Sequence, residues 1–147
     1  MRSCILRAAA RNVEYLVRLG VTHVLNTAEG AGAMSRMTVN TSQEYYRHVG
    51  ITYKGLRLVD VTQTNISRHF PEVVEFLDSA IASGGKVLVN CHLGVSRSAA
   101  CVMAFLITRH HMSVAEAMEK VRAQTQIISF KSSFTLSGKK AQTGKTE

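Results

Sequence analysis

Lys86-Val87-Leu88-Val89-Asn90-Cys91-His92-Leu93-Gly94-Val95-Ser96-Arg97-Ser98-Ala99-Ala100 holds a strand signal and a helix signal separated by a short loop. The run Lys86 to Asn90 is short, apolar and β-branched, follows Gly84-Gly85, and reads as a buried strand. From Ser98 to His110 the residues Ala99, Ala100, Val102, Met103, Ala104, Phe105, Leu106 and Ile107 make a helix apolar nearly all round, which predicts burial. Ligands of open α/β sheets bind outside the carboxyl ends of strands, and the junction after Asn90 is such a place.

The loop between them carries chemistry. A chain that curls from a strand into a helix can point successive backbone N–H groups inward, giving a nest for an anion at a helix N-terminus. His92, Leu93, Gly94, Val95 and Ser96 would supply those amides, and Gly94 allows a sharp bend around the anion. The same field, with Arg97 nearby, favours a thiolate at Cys91, the form that attacks as a nucleophile. The planar fork of Arg97 can grip two oxygens of a phosphoryl group, and does so more strongly in the transition state. The Ser98 hydroxyl can donate to the sulfur and make it a better leaving group in a second step. The expected metal set is none: His92, His110 and His111 form no ligand set with the cysteines, and no C-x-x-C or H-x-x-x-H spacing occurs.

Outward from this loop, strand and helix patterns alternate. Asn12 to Leu19, with Val13, Leu16 and Val17, predicts a short helix that Gly20 ends. Val21 to Asn26 reads as a buried strand, Thr27 to Thr41 as a loop, Ser42 to Val49 as a short helix closed by Gly50, and Ile51 to Val59 as a second strand. After a polar loop from Asp60 to Ser67, Phe70, Val73, Val74, Leu77, Ala80 and Ile81 recur at helical spacing. Pro71 belongs in the first turn of that helix, where its missing N–H does no harm. Ser113-Val114-Ala115-Glu116 is a capping box opening a last helix that carries Val114, Ala117, Met118 and Val121. The fold class expected is α/β, a central and mostly parallel sheet with helices on both faces. The domain is expected to run over 1–128, with 129–147 a flexible polar tail rich in Ser, Lys, Thr and Gly.

Composition removes other classes. The chain has 147 residues, 46 % hydrophobic and 19 % charged, enough for one packed core and too apolar for general disorder. No apolar run reaches the length of a membrane span, so no membrane association is expected, and Met1 to Arg7 lacks the h-region of a signal peptide. Three cysteines, at 4, 91 and 101, suit a reducing compartment rather than a disulfide framework. Cys101 falls mid-helix among apolar residues and reads as packing. The net charge of +8 comes from scattered Lys and Arg without an interleaved aromatic ladder; no nucleic acid partner is expected.

Val87 to Ala100 resembles the signature loop of the atypical dual-specificity protein phosphatases, in the cysteine-based protein tyrosine phosphatase superfamily. Leu19 to Asn26, the Tyr45-Tyr46 helix, and Asp60 with Asn65-Ile66-Ser67 continue the likeness, over roughly Arg11 to Arg122. The resemblance implies hydrolysis of phosphotyrosine and phosphoserine or phosphothreonine in phosphorylated protein substrates, without a cofactor, in the cytoplasm or nucleus. It implies two steps: Cys91 takes the phosphoryl group while Asp60 protonates the leaving oxygen, and Asp60 then activates water. Asp60 also suits the role by position, directly after a strand on the same rim as Cys91, whereas Glu75 and Asp78 fall on the long helix. The sequence leaves the oligomeric state and the particular substrate open.

Three features depart from that family. Asn90 stands where it usually has histidine, so Cys91 is expected to be less readily ionised and activity reduced. The strand expected ahead of the first helix is missing. The proline–asparagine turn and amphipathic helix expected after the last one are missing too, with Thr125 near the place of a second-phosphate residue. A truncated or alternatively spliced form is the expectation. A weakly active pseudophosphatase that binds phosphorylated partners is the main alternative reading; an RNA 5′-phosphate or lipid phosphatase and a sulfurtransferase-type domain are two others.

Overall fold

The β-branched runs form strands in the computed structural model of the chain, which describes residues 8–30, 38–58, 65–92, 96–123 and 127–128. β1 (His23–Asn26), β2 (Thr52–Gly55), β3 (Val87–Asn90) and β4 (Ile127–Ile128) make one sheet in the order β2-β1-β3-β4. β1 pairs in parallel with both β2 and β3, with His23 opposite Thr52 and Val87, and Asn26 opposite Gly55 and Asn90. The parallel core of the sheet is as expected; β4, which runs antiparallel to β3, is not, because two residues carry no readable period. Among the described residues, helical residues 8–11 and then α1 (Val13–Arg18) precede β1, and α2 (Gln43–Tyr46), α3 (Phe70–Ala82), α4 (Ser96–His110) and α5 (Val114–Ala123) join the strands.

The helix ends follow local chemistry. Asn12 and Ser42 accept from the main-chain N–H of Tyr15 and Tyr45, capping α1 and α2. Gly20, Gly50 and Gly84 adopt φ near +70° just past helix ends, a region that L side chains avoid. Pro71 lies in the first turn of α3. The capping box forms in full: Ser113 N–H donates to Glu116 Oε2 at 2.8 Å and Glu116 N–H to Ser113 Oγ at 3.2 Å.

Alternation along β3 builds two cores. Val87 and Val89 face a cluster with Leu25, Val73, Leu77, Ala80, Cys101, Val102, Phe105, Leu106 and Ala117, joining α3, α4 and α5 to one face of the sheet. Leu88 faces the other cluster, with Ala10, Leu16, Val24, Val39, Tyr46 and Ile51. Helices therefore cover both faces, as a parallel sheet requires.

Several apolar side chains lie at the surface. Val17 is 49 % exposed, because the six-residue α1 buries only Leu16 fully. On α5 the core side is centred on Ala117, which leaves Val114 and Met118 on the rim at 59 % and 37 % exposure. The second strand is shorter than Ile51 to Val59, although Leu56 and Leu58 remain buried beyond its end. A 3-10 turn, Ile66–His69, leads into α3, and within the expected loop from Thr27 to Thr41 a parallel bridge joins Glu29 to Val39. The expected tail, 129–147, and residues 60–64 of the expected loop from Asp60 to Ser67 lie outside the described residues. No helix among the described residues is long and apolar enough to cross a membrane.

Candidate active site

Cys91 follows the last residue of β3 and is buried. α4 begins at Ser96, two residues earlier than the apolar pattern predicts, so Arg97 and Ser98 lie in its first turn. That turn brings Ser98 Oγ to 3.3 Å from Cys91 Sγ. Arg97 is only 6 % exposed, and its Nη1 donates to the carbonyl oxygen of Leu58 at 2.5 Å. The guanidinium is therefore held inside the fold, beside the helix start and close along the chain to the thiol. One donor of its fork is committed to Leu58, in a group that carries five.

His92 is buried beside Cys91. Leu93, Gly94 and Val95, the Ser96 side chain, and Asp60 lie outside the described residues. Leu58, the residue that Arg97 holds, precedes Asp60 by two positions in the sequence. Cys101 is fully buried in the core below α4, and its thiol is pushed up to about 12, chiefly by desolvation and secondarily by the charge of Cys91.

At the carboxyl ends of β1 and β3 is a buried polar network that the sequence reading missed. Asn90 Nδ2 donates to Asn26 Oδ1 at 3.2 Å, and Ala28 N–H donates to the same oxygen at 3.0 Å. Asn26 Nδ2 donates to the Val39 carbonyl at 2.8 Å and to Thr41 Oγ1 at 3.0 Å. The N–H and hydroxyl of Thr27 both donate to the Asn90 carbonyl. Asn90 Oδ1 is buried with no hydrogen-bond partner among the described residues. Asparagine ending two hydrophobic strands was the available signal, since a polar amide is buried only with partners. Farther out, the Tyr53 hydroxyl donates to Glu29 Oε2, and Glu29 Oε1 lies 3.6 Å from Arg57 Nε. Burial, followed by the Glu29 contact, pushes the Tyr53 phenol well above the usual range.

The family model for the catalytic domain of dual specificity phosphatases matches residues 7–138. Human dual specificity protein phosphatase 26 is 39 % identical over 120 residues, 81 % of this chain and 54 % of that protein. Human dual specificity protein phosphatase 13B is 37 % identical over 120 residues, 81 % of this chain and 58 % of that protein. The crystal structure of human DUSP28 matches with a TM-score of 0.63 at 25 % identity, covering 80 % of this chain and 71 % of that one.

The chain belongs to the family of dual specificity phosphatase catalytic domains. It spans about half the length of the curated relatives it matches.

Proposed function

We propose that the chain hydrolyses phosphate monoesters on tyrosine and on serine or threonine of phosphorylated proteins, through a phosphocysteine at Cys91. The observation that carries this reading is the 3.3 Å approach of Ser98 Oγ to Cys91 Sγ in the helix turn that also bears the buried Arg97. In the first step the Cys91 sulfur attacks phosphorus, an S–P bond forms, and the P–O bond to the leaving group breaks. Asp60 gives its proton to that oxygen. The main-chain N–H groups of His92, Leu93, Gly94, Val95 and Ser96, with the Arg97 guanidinium, hold the phosphoryl oxygens. In the second step Asp60 takes a proton from water as the water oxygen attacks phosphorus. The S–P bond then breaks, and the Ser98 hydroxyl stabilises the sulfur as it leaves. The setting we propose is the cytoplasm or nucleus.

Steady-state turnover of p-nitrophenyl phosphate and of phosphotyrosine, phosphothreonine and phosphoserine peptides tests this. Cys91→Ser should abolish turnover, and Asp60→Ala should lower kcat by about 10²-fold or more on the peptides. Tight binding of a phosphopeptide by the wild-type chain without turnover would replace this reading with that of a phosphate-binding pseudophosphatase.

A further inference from the structure

We propose that Thr27 is a positioning residue for Cys91, acting through the peptide unit that joins Asn90 to it; this rests on Cys91 being the nucleophile. Thr27 follows β1 and is fully buried. Its main-chain N–H reaches the Asn90 carbonyl oxygen at 2.8 Å and its Oγ1 reaches the same oxygen at 2.9 Å. The first bond extends the parallel ladder between β1 and β3 by one step. The ladder does not require the second. A fully buried hydroxyl has been placed where it occupies the remaining lone pair of the carbonyl immediately before Cys91.

A peptide unit is planar, so fixing its oxygen also fixes the direction of the Cys91 N–H and the position of the Cys91 Cα. Both bear on where Sγ stands relative to Ser98. The neighbouring residue works on the same target: Asn26 Oδ1 accepts from the Asn90 side chain. Consecutive residues of one strand end thus hold Asn90 by main chain and side chain. Without the hydroxyl, one lone pair of a buried carbonyl loses its partner, and the peptide plane beside the sulfur gains freedom to tilt.

Thr27→Val keeps the shape and removes the donor, whereas Thr27→Ser keeps the donor and removes a methyl. In the full chain, Thr27→Val should lower kcat for p-nitrophenyl phosphate about tenfold, with KM changed by less than about twofold, as expected for one lost hydrogen bond. The same variant should slow alkylation of Cys91 by iodoacetamide, followed by mass spectrometry, severalfold. Thr27→Ser should stay close to wild type in both. The proposal is overturned if Thr27→Val matches wild type in kcat and alkylation, or if Thr27→Ser falls as far as Thr27→Val. Circular dichroism confirms the fold of each variant, and Thr27→Ala replaces Thr27→Val if the latter does not fold. A wild-type chain with no phosphatase turnover would remove the proposed function alone, because the alkylation rates still decide the role of Thr27.

Discussion

Arg97 Nη1 donates to the main-chain carbonyl of Leu58, joining the first turn of α4 to the segment that follows β2. Both residues are buried, so the guanidinium serves the fold as well as the site proposed for it. A charged donor to a buried carbonyl is among the stronger hydrogen bonds in a protein interior.

Arg97→Met should therefore lose on two counts. Stability in urea should fall by about 1–3 kcal/mol, because the Leu58 carbonyl stays buried without its donor. Turnover of p-nitrophenyl phosphate should fall by about 10²-fold or more if, as proposed, this fork grips the phosphoryl oxygens. Arg97→Lys separates the two: it restores a donor and part of the stability, but leaves turnover low, since an ammonium cannot match the planar fork.

Ser98→Ala removes the hydroxyl 3.3 Å from Cys91 Sγ. If that hydroxyl stabilises the departing sulfur, loss should fall on the second step. Rapid-quench measurements with p-nitrophenyl phosphate should show a burst of nitrophenol followed by a slow steady state, with phosphocysteine accumulating. Equal slowing of the burst and the steady state would remove Ser98 from the second step.

Alkaline pH should weaken the fold. Burial pushes the Cys101 thiol from 9.0 up to about 12, and burial likewise pushes the Tyr46 phenol from 10.0 up to about 12. A folded-state pKa above the unfolded one means that the native state holds the proton more tightly. Stability is then fully present below about pH 9 and declines as pH rises towards about 12. Urea midpoints should be flat across neutral pH and fall above about pH 9, with Tyr46→Phe blunting the fall. In the native protein at pH 8, Cys101 should resist iodoacetamide, and should react once the chain is unfolded.

Gly55→Ala should destabilise the edge of the sheet. A Cβ there would overlap the Glu29 carboxylate, which accepts from Tyr53 and pairs with Arg57. The carboxylate can swing aside at the cost of its bond from Tyr53, so the expected loss is about 1 kcal/mol by urea denaturation. Adding Glu29→Ala removes the obstructing group, so the double variant should recover part of that loss. No recovery would place the strain elsewhere.

Much of the fold was legible because it rests on local rules. Gly20, Gly50, Gly84, Pro71 and the Ser113–Glu116 box mark helix ends by chemistry that needs no distant partner. The β-branched run before Asn90 gave the central strand for the same reason. Which face of the short helices is buried was not legible, since a short helix is turned by what it packs on: Val17, Val114 and Met118 stay exposed. β4 was missed because two residues acquire strand geometry only by pairing with β3.

The sequence by itself determined the order of the first three strands and the helices between them, and Val87 to Ala100 carried the resemblance to the family that the chain belongs to. Those features are encoded in contiguous residues, where backbone geometry fixes what can be near what. Only the tertiary structure decided that Asn26 and Thr27 hold Asn90, and that Arg97 reaches Leu58. These residues are separated by 39 to 64 positions in the chain, so parallel pairing and helix docking, not local preference, bring their polar groups together.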